Sequence, residues 1–315
     1  MNWTPSYLDL GGVEITIADG GDFRLDGATL YGIFPRVFWE KLNQPDEDNR
    51  VLLAVAPLIV KTDGGPVIID PGIGHGLGSR AADRYCLRQQ YPLEDLLQGA
   101  DVAPEDVQGI IATHLHFDHV LAGVRGIEDI APEESPPWEW RGELASDLEP
   151  ALPNARLYVQ SAEAAHAREP DQRTAPFVAS LVSEVYRRED RLVLLEGDAE
   201  PFPGVNVELT GGHTPGHQVV WLKGREGTAL VPGDLIPTPA HVDYEVLEGI
   251  DHAPSVSAAV KADLLARVLE SGAYLTLYHS PRVRWSRVST GPSDTYQLVD
   301  TFTVPARVVS EDENA

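Results

Sequence analysis

Three histidines and one aspartate lie within seven residues of this chain, in the segment THLHFDH at residues 113 to 119. Imidazole nitrogens and carboxylate oxygens are good ligands for borderline metals such as Zn²⁺. In an extended segment, residues two apart point the same way, so His114 and His116 can bind one ion. Asp118 and His119 follow at a point where the chain must turn, and they can face a second ion. The segment therefore predicts a metal site.

Two ions need more ligands than one short segment supplies. Three further candidates each stand just beyond a predicted strand: His213, Asp234 and His279. His213 would complete a three-histidine site with the two alternating histidines and leave one coordination position open. His279 would join Asp118 and His119 in a second site, and Asp234 could bridge the two ions. Either Asp234 or Asp118 could also relay a proton during catalysis.

The candidate ligands are placed by short strands that end in polar turns. Residues 55 to 72 contain two β-branched runs around Thr62-Asp63-Gly64-Gly65, which predicts a β-hairpin because glycine accepts positive φ. The other predicted strands cover residues 110 to 113, 205 to 210 and 274 to 278, with a hairpin over 219 to 234. Apolar stripes over 176 to 188 and 255 to 271 predict helices that cover sheets, the second capped by Ser255 and ended by Gly272.

The composition is that of a globular protein with an unusually acidic charge. The chain has 315 residues, and 24 Lys and Arg stand against 49 Asp and Glu, which gives a formal net charge of -25. Such a field repels phosphate backbones and anionic membranes, so nucleic acid is excluded as a partner. Cys86 is the only cysteine, so an intrachain disulfide and a thiolate metal cluster are excluded as well.

The sequence also predicts where the protein works. The start, MNWTPSYLDL, lacks a basic region followed by an apolar stretch, and no apolar run reaches the roughly 18 residues of a membrane helix. We therefore expect a cytoplasmic protein with a small-molecule substrate and no membrane partner.

Two segments are predicted to be long loops, at residues 31 to 50 and 130 to 150. The second is rich in Pro and Glu. The first carries Phe34, Phe38 and Trp39, which are more aromatic residues than a solvated loop needs. These side chains either form a wall of the substrate pocket or pack in the core. The same segment could form a homodimer interface, which a monomer in light scattering would contradict.

The motifs THLHFDH, GGHTPGH, VPGD and LYHS, in that order, resemble the metallo-β-lactamase superfamily of hydrolases. The resemblance covers nearly the whole chain and implies an α/β fold, a four-layer αββα sandwich with a dinuclear metal site at one edge of the sheets. It implies the same seven ligands, and it matches DPGIG to an early family motif. Asp70 would then orient the histidine loop, although it could equally just cap its own turn. We expect one domain over 1 to 315, with pseudo-repeat halves at roughly 1 to 165 and 190 to 315.

Within the superfamily, the chain resembles the N-acyl homoserine lactonases and the methyl parathion hydrolase group, which share its length and its GHTPGHQ turn. In those lactonases a tyrosine stands three residues after the bridging aspartate, where this chain has Pro237. His241 or Tyr244 could supply a polar group at the pocket rim instead, or both could be loop surface. Only 36 residues follow His279, too few for the added domain of glyoxalase II thioesterases.

The expected activity is hydrolysis of a small lactone or aryl ester by a hydroxide that bridges two divalent metal ions. Coordination lowers the pKa of water from about 15.7 to about 7, so the nucleophile is available near neutral pH. Zn²⁺ is the expected metal, with Mn, Fe or Co as alternatives. The alternative activities are phosphotriester hydrolysis, thioester hydrolysis of the glyoxalase II type and iron-dependent persulfide dioxygenation. A non-catalytic, metal-stabilised interaction module is a further alternative.

Overall fold

The structure is a computed structural model, and it describes residues 5–75, 79–127, 148–292 and 295–305. In chain order the strands are β1 (Ser6–Asp9), β2 (Glu14–Ile17), β3 (Asp22–Asp26), β4 (Arg50–Ala54), β5 (Leu58–Thr62), β6 (Gly65–Ile69), β7 (Gly109–Ile111), β8 (Val124–Arg125), β9 (Glu149–Pro150), β10 (Arg156–Gln160), β11 (Leu192–Leu195), β12 (Ala199–Phe202), β13 (Val205–Leu209), β14 (Gln218–Lys223), β15 (Thr228–Val231), β16 (Tyr274–Thr276), β17 (Val283–Thr290) and β18 (Tyr296–Thr303). The α-helices described are α1 (Gly27–Tyr31), α2 (Arg36–Trp39), α3 (Ser79–Tyr85), α4 (Leu93–Gly99), α5 (Phe117–Val120), α6 (Ser161–Arg168), α7 (Ser180–Arg188) and α8 (Pro254–Ser271).

Two large sheets divide the chain. In the part of the chain that the structure describes, the first sheet has the order β1-β2-β5-β6-β7-β10-β11 and the second has β12 to β18 in sequence order. The hairpin predicted over 55 to 72 is formed by β5 and β6, with Thr62 paired to Gly65. Gly65 has φ 98°, a conformation that glycine adopts far more readily than other residues.

The sheets pack face to face, and helices cover their outer faces. Alternate residues of β14 show this layering, because Val220 and Leu222 belong to the core shared by the two sheets. Their neighbours Val219 and Trp221 lie in a second core under α8. The amphipathic helix α7 buries Val182, Val185 and Tyr186 in the first core. The predicted αββα sandwich is confirmed.

Parallel strands bring the predicted site residues to one edge. In the first sheet β6, β7 and β10 run parallel, with Ile69 paired to Ile111. In the second sheet β15 and β16 are parallel, and β13 shares their direction because two antiparallel pairings separate it from β15. Within each sheet, the loops after these strands therefore leave at the same edge.

Several predicted boundaries differ from the structure. The helix predicted from 176 begins at Ser180, because Val178 pairs with His116 in an isolated bridge and is held extended. The helix predicted from 255 begins at Pro254, whose missing N–H costs nothing at a helix start, so Ser255 is not its cap. Gly272 ends that helix with φ 63°, as predicted.

The two predicted loops have different outcomes. Residues 31 to 50 contain the short helix α2, so this segment is not a continuous loop. Of residues 130 to 150, those up to 147 lie outside the described residues, and Glu149–Pro150 form a short strand. The division of the sequence into two pseudo-repeat halves stays a prediction. Among the described residues, none of the helices is long and apolar enough to cross a membrane.

Candidate metal centre

The histidine-rich segment begins directly after strand β7 of the first sheet. The backbone of His116 is extended, with φ -72° and ψ 150°, and the four-residue helix α5 then begins at Phe117. Asp118 and His119 therefore lie in the first turn of a helix, while His114 and His116 precede it. This change from extended to helical backbone sends the two pairs in different directions, as the spacing predicted.

The structure brings all seven predicted ligand side chains together, and all seven are buried. They form two groups that could each hold a metal ion, and the candidate ligand atoms within each group lie within 4.8 Å of one another. The first group is His114, His116, His213 and Asp234, and the second is Asp118, His119 and His279. Each group combines residues that follow the first sheet with residues that follow the second.

Asp234 stands between the two groups. Its Oδ2 lies 3.6 Å from Nε2 of His114 and 3.5 Å from Nε2 of His213. Its Oδ1 lies 3.2 Å from Nε2 of His119 and 3.3 Å from Nε2 of His279. One carboxylate oxygen thus faces each group, which is the arrangement of a bridging ligand.

Hydrogen bonds fix the orientation of four of these histidine rings. Their Nδ1 atoms contact Thr113 Oγ1 at 3.0 Å for His114, Asp70 Oδ2 at 2.9 Å for His119, Asp251 Oδ1 at 2.9 Å for His213 and the Ala54 carbonyl oxygen at 2.8 Å for His279. An Nδ1–H that donates outward leaves the Nε2 lone pair directed into the cluster, which is the usual support of a metal-binding histidine. His116 is turned the other way, with Nδ1 only 3.1 Å from His213 Nε2.

Two properties of the cluster suit a divalent metal. Some of its buried polar atoms lack a hydrogen-bond partner, and two of its histidines are neutral. Nε2 of His114 and Oδ1 of Asp234 are buried without a hydrogen-bond partner among the described residues. Such atoms cost about 1–3 kcal/mol each when left unsatisfied, and a cation bound by the cluster would relieve that cost. Burial and the neighbouring histidines hold the pKa of His114 and His116 well below its usual range, so both are neutral, the form that binds metal.

Asp70 connects the end of β6 to the histidine segment. Its Oδ1 accepts the Thr113 backbone N–H at 2.7 Å. Its Oδ2 accepts the Thr113 hydroxyl at 2.7 Å and the Nδ1–H of His119 at 2.9 Å. Because the Thr113 hydroxyl donates to Asp70, its oxygen is free to accept from Nδ1 of His114. One carboxylate therefore orients His119 directly and His114 through Thr113.

Three buried acids at this site have no signal in the sequence. Glu163 of α6 accepts the Leu115 N–H at 2.9 Å with Oε1, and it accepts the Thr214 hydroxyl at 2.6 Å with Oε2. It thereby ties the loop from the first sheet to the loop from the second. Asp251 holds His213, and Glu248 lies beside it with Oε2 at 3.4 Å from the same Nδ1. None of the three stands at the end of a predicted strand, which was the pattern that identified the other residues.

A narrow cavity opens on the cluster at Asp118, Asp234 and His279. Its walls are mostly apolar and include Leu25, Leu30, Leu53, Phe177 and Ile250. Glu248 and Thr29 add polar groups that do not belong to the seven predicted ligands.

A larger groove, of about 620 Å³, lies against Trp221 on the second sheet and shares no residue with the cluster. Arg267 in that groove is already paired with Glu208 at 2.7 Å.

The cavity wall differs from the one predicted, since none of its described residues is among the five aromatic and polar candidates. Trp39 is buried and stacks on Tyr31 with ring centroids 4.8 Å apart, so it packs in the core. Phe38 is 55% exposed, and its ring centroid lies 6.0 Å from that of Phe34. Both rings therefore lie outside the wall because α2 turns them toward the core or solvent.

His241 and Tyr244 are also not among the described residues that line the cavity. His241 is buried, with Nε2 donating to the Leu30 carbonyl oxygen at 3.0 Å and Nδ1 accepting from the Thr238 hydroxyl at 2.8 Å. Burial lowers the pKa of His241 to about 3, so the ring is neutral and both nitrogens are paired. Tyr244 is 48% exposed. Pro237 uses its carbonyl oxygen to accept the His279 N–H at 3.0 Å, which fixes the backbone of that residue.

Comparison with known proteins agrees with this geometry. The family model described as the metallo-beta-lactamase superfamily matches residues 51–140 and 144–279, a range that contains all seven clustered residues. The chain belongs to the metallo-beta-lactamase superfamily. The resemblance seen in its motifs is confirmed, and the chain is a metal-dependent hydrolase of this superfamily.

Relatives within the superfamily include lactonases. An N-acyl homoserine lactonase of Bacillus sp is 27% identical over 217 residues, which cover 64% of this chain and 71% of the relative. A probable metal-dependent hydrolase from Staphylococcus aureus has a TM-score of 0.76 at 23% identity, over 94% of this chain and all of that one. AidC, a dizinc quorum-quenching lactonase, has a TM-score of 0.68 at 16% identity, over 94% of this chain and 96% of that one.

Proposed function

We propose that this protein is a dinuclear metal-dependent hydrolase of a small, neutral ester-like substrate, a lactone or an aryl ester. The observation that carries the proposal is Asp234, which directs one carboxylate oxygen toward each histidine group at 3.2 to 3.6 Å. The relation to N-acyl homoserine lactonases supports a lactone as the first choice of substrate. We propose Zn²⁺ as the metal, and Mn, Fe and Co are the alternatives.

The proposed ligand sets follow the two groups and the position of Asp234. The first ion would be held by His114, His116 and His213, the second by Asp118, His119 and His279, with Asp234 shared. Two divalent ions, when bound, would supply hydroxide near neutral pH and polarise the ester carbonyl group. The chain's own contribution is to hold the ligands in place beforehand, through Asp70 on one side and Asp251 on the other.

The carboxylates at the cavity floor are placed to move the proton. Asp118 Oδ2 lies 3.4 Å from Nε2 of His279, and both Asp118 and Asp234 line the cavity. Either carboxylate can accept a proton from the attacking water and return it to the leaving oxygen of the ester. The apolar side chains of Leu30, Phe177 and Ile250 bind the acyl or aryl group and exclude bulk water.

Phosphotriester hydrolysis is the second candidate, and the cavity wall favours it over reactions of anionic substrates. The described lining residues include neither Lys nor Arg, so the wall offers no partner to an anion. A neutral phosphotriester would use the same floor and the same apolar wall as a neutral ester. Thioester hydrolysis and persulfide dioxygenation remain outcomes that the following experiment distinguishes.

The test is a substrate panel with metal-reconstituted protein. We expect about two tightly bound metal ions per chain and hydrolysis of lactones or aryl esters. Thioesters and phosphotriesters complete the panel, and oxygen uptake with a persulfide tests the oxidative alternative. His116→Ala should lose metal and activity, whereas His75→Ala, at an exposed position, should keep both. Fewer than about one bound ion per chain, or no hydrolysis of any ester with metal restored, would contradict the proposal.

The homodimer predicted through residues 31 to 50 and the cytoplasmic location stay predictions. Ile33, Val37, Phe38 and Leu42 of that segment are all more than half exposed. These apolar side chains are the ones on which the predicted dimer interface depends.

A further inference from the structure

We infer that Glu163 is a positioning residue that aligns the ligands of only one of the two proposed metal ions. That ion is the one of the first group, held by His114, His116 and His213. The inference deepens the proposed function, because it rests on the two ions proposed there. It gives a residue outside the seven predicted ligands the role of aligning two loops from different sheets.

The three histidines of the first group reach the cluster from two separate loops. His114 and His116 lie in the loop that follows β7, whereas His213 lies in the loop between β13 and β14. Along the chain, 97 positions separate His116 from His213. Metal ligands bind well only when they are held within roughly 0.5 Å of the productive geometry. A group that contacts both loops beside the ligands can therefore set the distance between the histidines.

Glu163 makes such contacts with both loops. Its Oε1 accepts the N–H of Leu115, the residue between the two histidines of the first loop, at 2.9 Å. Its Oε2 accepts the hydroxyl of Thr214, the residue directly after His213, at 2.6 Å. The same Oε2 also accepts the Gly216 N–H at 3.1 Å. One carboxyl group thus joins the two loops within one residue of the ligands.

The first loop is held on both sides of Leu115. The N–H of this residue donates to Glu163, and its carbonyl oxygen accepts the Ala179 N–H at 2.8 Å. The Leu115 side chain is fully buried. A backbone that is fixed in this way limits the movement of the histidines on either side of it.

The second loop packs directly on the helix that carries Glu163. This residue is fully buried in the first turn of α6. A Cβ at Gly216 would lie 2.1 Å from the backbone nitrogen of Glu163 and 2.5 Å from its Cα, so only glycine fits there without a shift of the loop. The helix is therefore a rigid base from which the carboxyl group reaches both loops.

The chemistry of these contacts requires an acceptor at both oxygens of Glu163. The groups that face it are two backbone N–H groups and one hydroxyl. A glutamine amide has one acceptor oxygen and one donor nitrogen. In Glu163→Gln the nitrogen would face the N–H of Leu115 in one orientation and that of Gly216 in the other. One loop therefore loses its contact in either orientation, although the side chain keeps its size.

The second group is held by other contacts. Asp70 orients His119. The Phe117 N–H donates to the Phe177 carbonyl oxygen at 2.8 Å and fixes the start of α5. In the part of the chain that the structure describes, Glu163 makes no hydrogen bond with a residue of the second group. A substitution of Glu163 should therefore affect the two ions unequally, whereas Asp70 supports a histidine in each group.

The experiment titrates metal-free protein with Co²⁺ and follows the visible absorption of the bound ion. His213→Ala and His279→Ala show which binding step belongs to which group. We expect Glu163→Gln to weaken the step that His213→Ala weakens most by about 10- to 100-fold, and to leave the other step within about threefold of the wild type. Equal weakening of both steps, or no change in either, would overturn the inference.

Thr214→Val tests the same contact from the other loop. It removes the hydroxyl that donates to Glu163 and keeps the volume of the side chain. We expect it to weaken the first-group step by a smaller factor, and to have less effect in Glu163→Gln than in the wild type because the two residues share one contact. Where Glu163→Gln does not fold, an unchanged first-group step in Thr214→Val would overturn the inference.

Gln160→Met is the matched control for a purely structural role. Gln160 is a buried neighbour of Glu163 that bonds to Gly197 and Gln218. Its loss should lower the Tm of the metal-free protein and leave both Co²⁺ affinities unchanged. Weakening of the first-group step in Gln160→Met as large as that in Glu163→Gln would overturn the inference.

Hydrogen exchange in the metal-free proteins keeps this test distinct from that of the proposed function. We expect the N–H of Leu115 or of Gly216 to exchange at least about tenfold faster in Glu163→Gln than in the wild type or in Gln160→Met. Such a change, with selective weakening of the first-group step, would support the role of Glu163 even where no ester is hydrolysed. Unchanged exchange at both positions would overturn that role, even where the substrate panel upholds hydrolysis.

Discussion

At the scale of single residues, Asp70 orients histidines in both groups of the candidate metal centre. It is fully buried with φ 49°, a left-handed conformation that non-glycine residues adopt rarely except Asn and Asp. Its two oxygens together accept three hydrogen bonds, from Thr113 and His119. Because His114 is oriented through Thr113, one carboxylate supports a histidine in each of the two groups.

We therefore expect Asp70→Asn to weaken metal binding without unfolding the chain. Asparagine tolerates positive φ, but an amide at this position replaces one acceptor oxygen by a donor that faces other donors. Loss of such a supporting contact typically costs about 10- to 100-fold in metal affinity. Competition with a chromophoric chelator measures the affinity. Asp101→Asn is the matched control, because Asp101 is exposed at φ 55°, and equal affinity in the two variants would contradict the expectation.

Individual residues also show what the sequence could and could not predict. The seven clustered residues were identifiable because each follows an apolar run that reads as a strand, and parallel strands deliver their ends to one edge. Asp251 and Glu248 follow no strand, and only the path of the chain after Val242 brings them to His213. The aromatic residues around Trp39 in the sequence are compatible with a pocket wall and with core packing alike. The sequence does not indicate which of the two environments the Trp39 side chain occupies.

At the scale of elements, strand and helix identities followed from periodicity, while several boundaries were decided by tertiary contacts. The pairing of Val178 with His116 delays the start of α7, and no local pattern encodes that contact. Helix α8 has a further role that its apolar stripe conceals. It carries the fully buried Lys261, whose Nζ donates to the Asp243 carbonyl oxygen at 3.0 Å and to that of Val246. The helix thereby anchors the loop that leads to Glu248.

We expect Lys261 to make the stability of the fold depend on pH in the alkaline range. Burial lowers its pKa to about 8, from 10.5 for an ordinary lysine. Below pH 8 the folded and unfolded chains both carry the proton, and the full penalty of burying the charge is present. Between pH 8 and 10.5 the unfolded chain binds more protons than the folded one. The free energy of unfolding should therefore rise with pH, by up to about 1.4 kcal/mol per unit and about 3 kcal/mol in total.

Denaturant unfolding from pH 7.5 to 10.5 measures this effect as a difference between two proteins. The gap in unfolding free energy between wild type and Lys261→Met should grow in favour of the wild type across that range. Lys41→Met replaces an exposed lysine and should give a gap that stays constant with pH. A constant gap for Lys261→Met as well would show that the amine keeps its proton when buried.

At the scale of the whole molecule, the candidate metal centre joins the two sheets. His114, His116, Asp118 and His119 follow the first sheet, whereas His213, Asp234 and His279 follow strands of the second. Each of the two groups contains residues from both sides. Glu163 makes the same connection by hydrogen bonds between the two loops. Metal binding would thus add contacts between halves that are far apart in sequence.

Metal removal should consequently destabilise the whole fold and not only the loops at its edge. A ligand that binds the folded chain alone stabilises it by about 2.7 kcal/mol at a free concentration of 100 times its Kd. For a chain of this size that corresponds to a rise in Tm of roughly 4 °C. Calorimetric scans with chelator and with added Zn²⁺ measure the shift. His213→Ala removes a ligand contributed by the second sheet to the first group, so its Tm should respond less to Zn²⁺ than that of the wild type. A wild-type Tm that is the same in chelator and in Zn²⁺ would show that the cluster binds no metal strongly enough to join the two sheets.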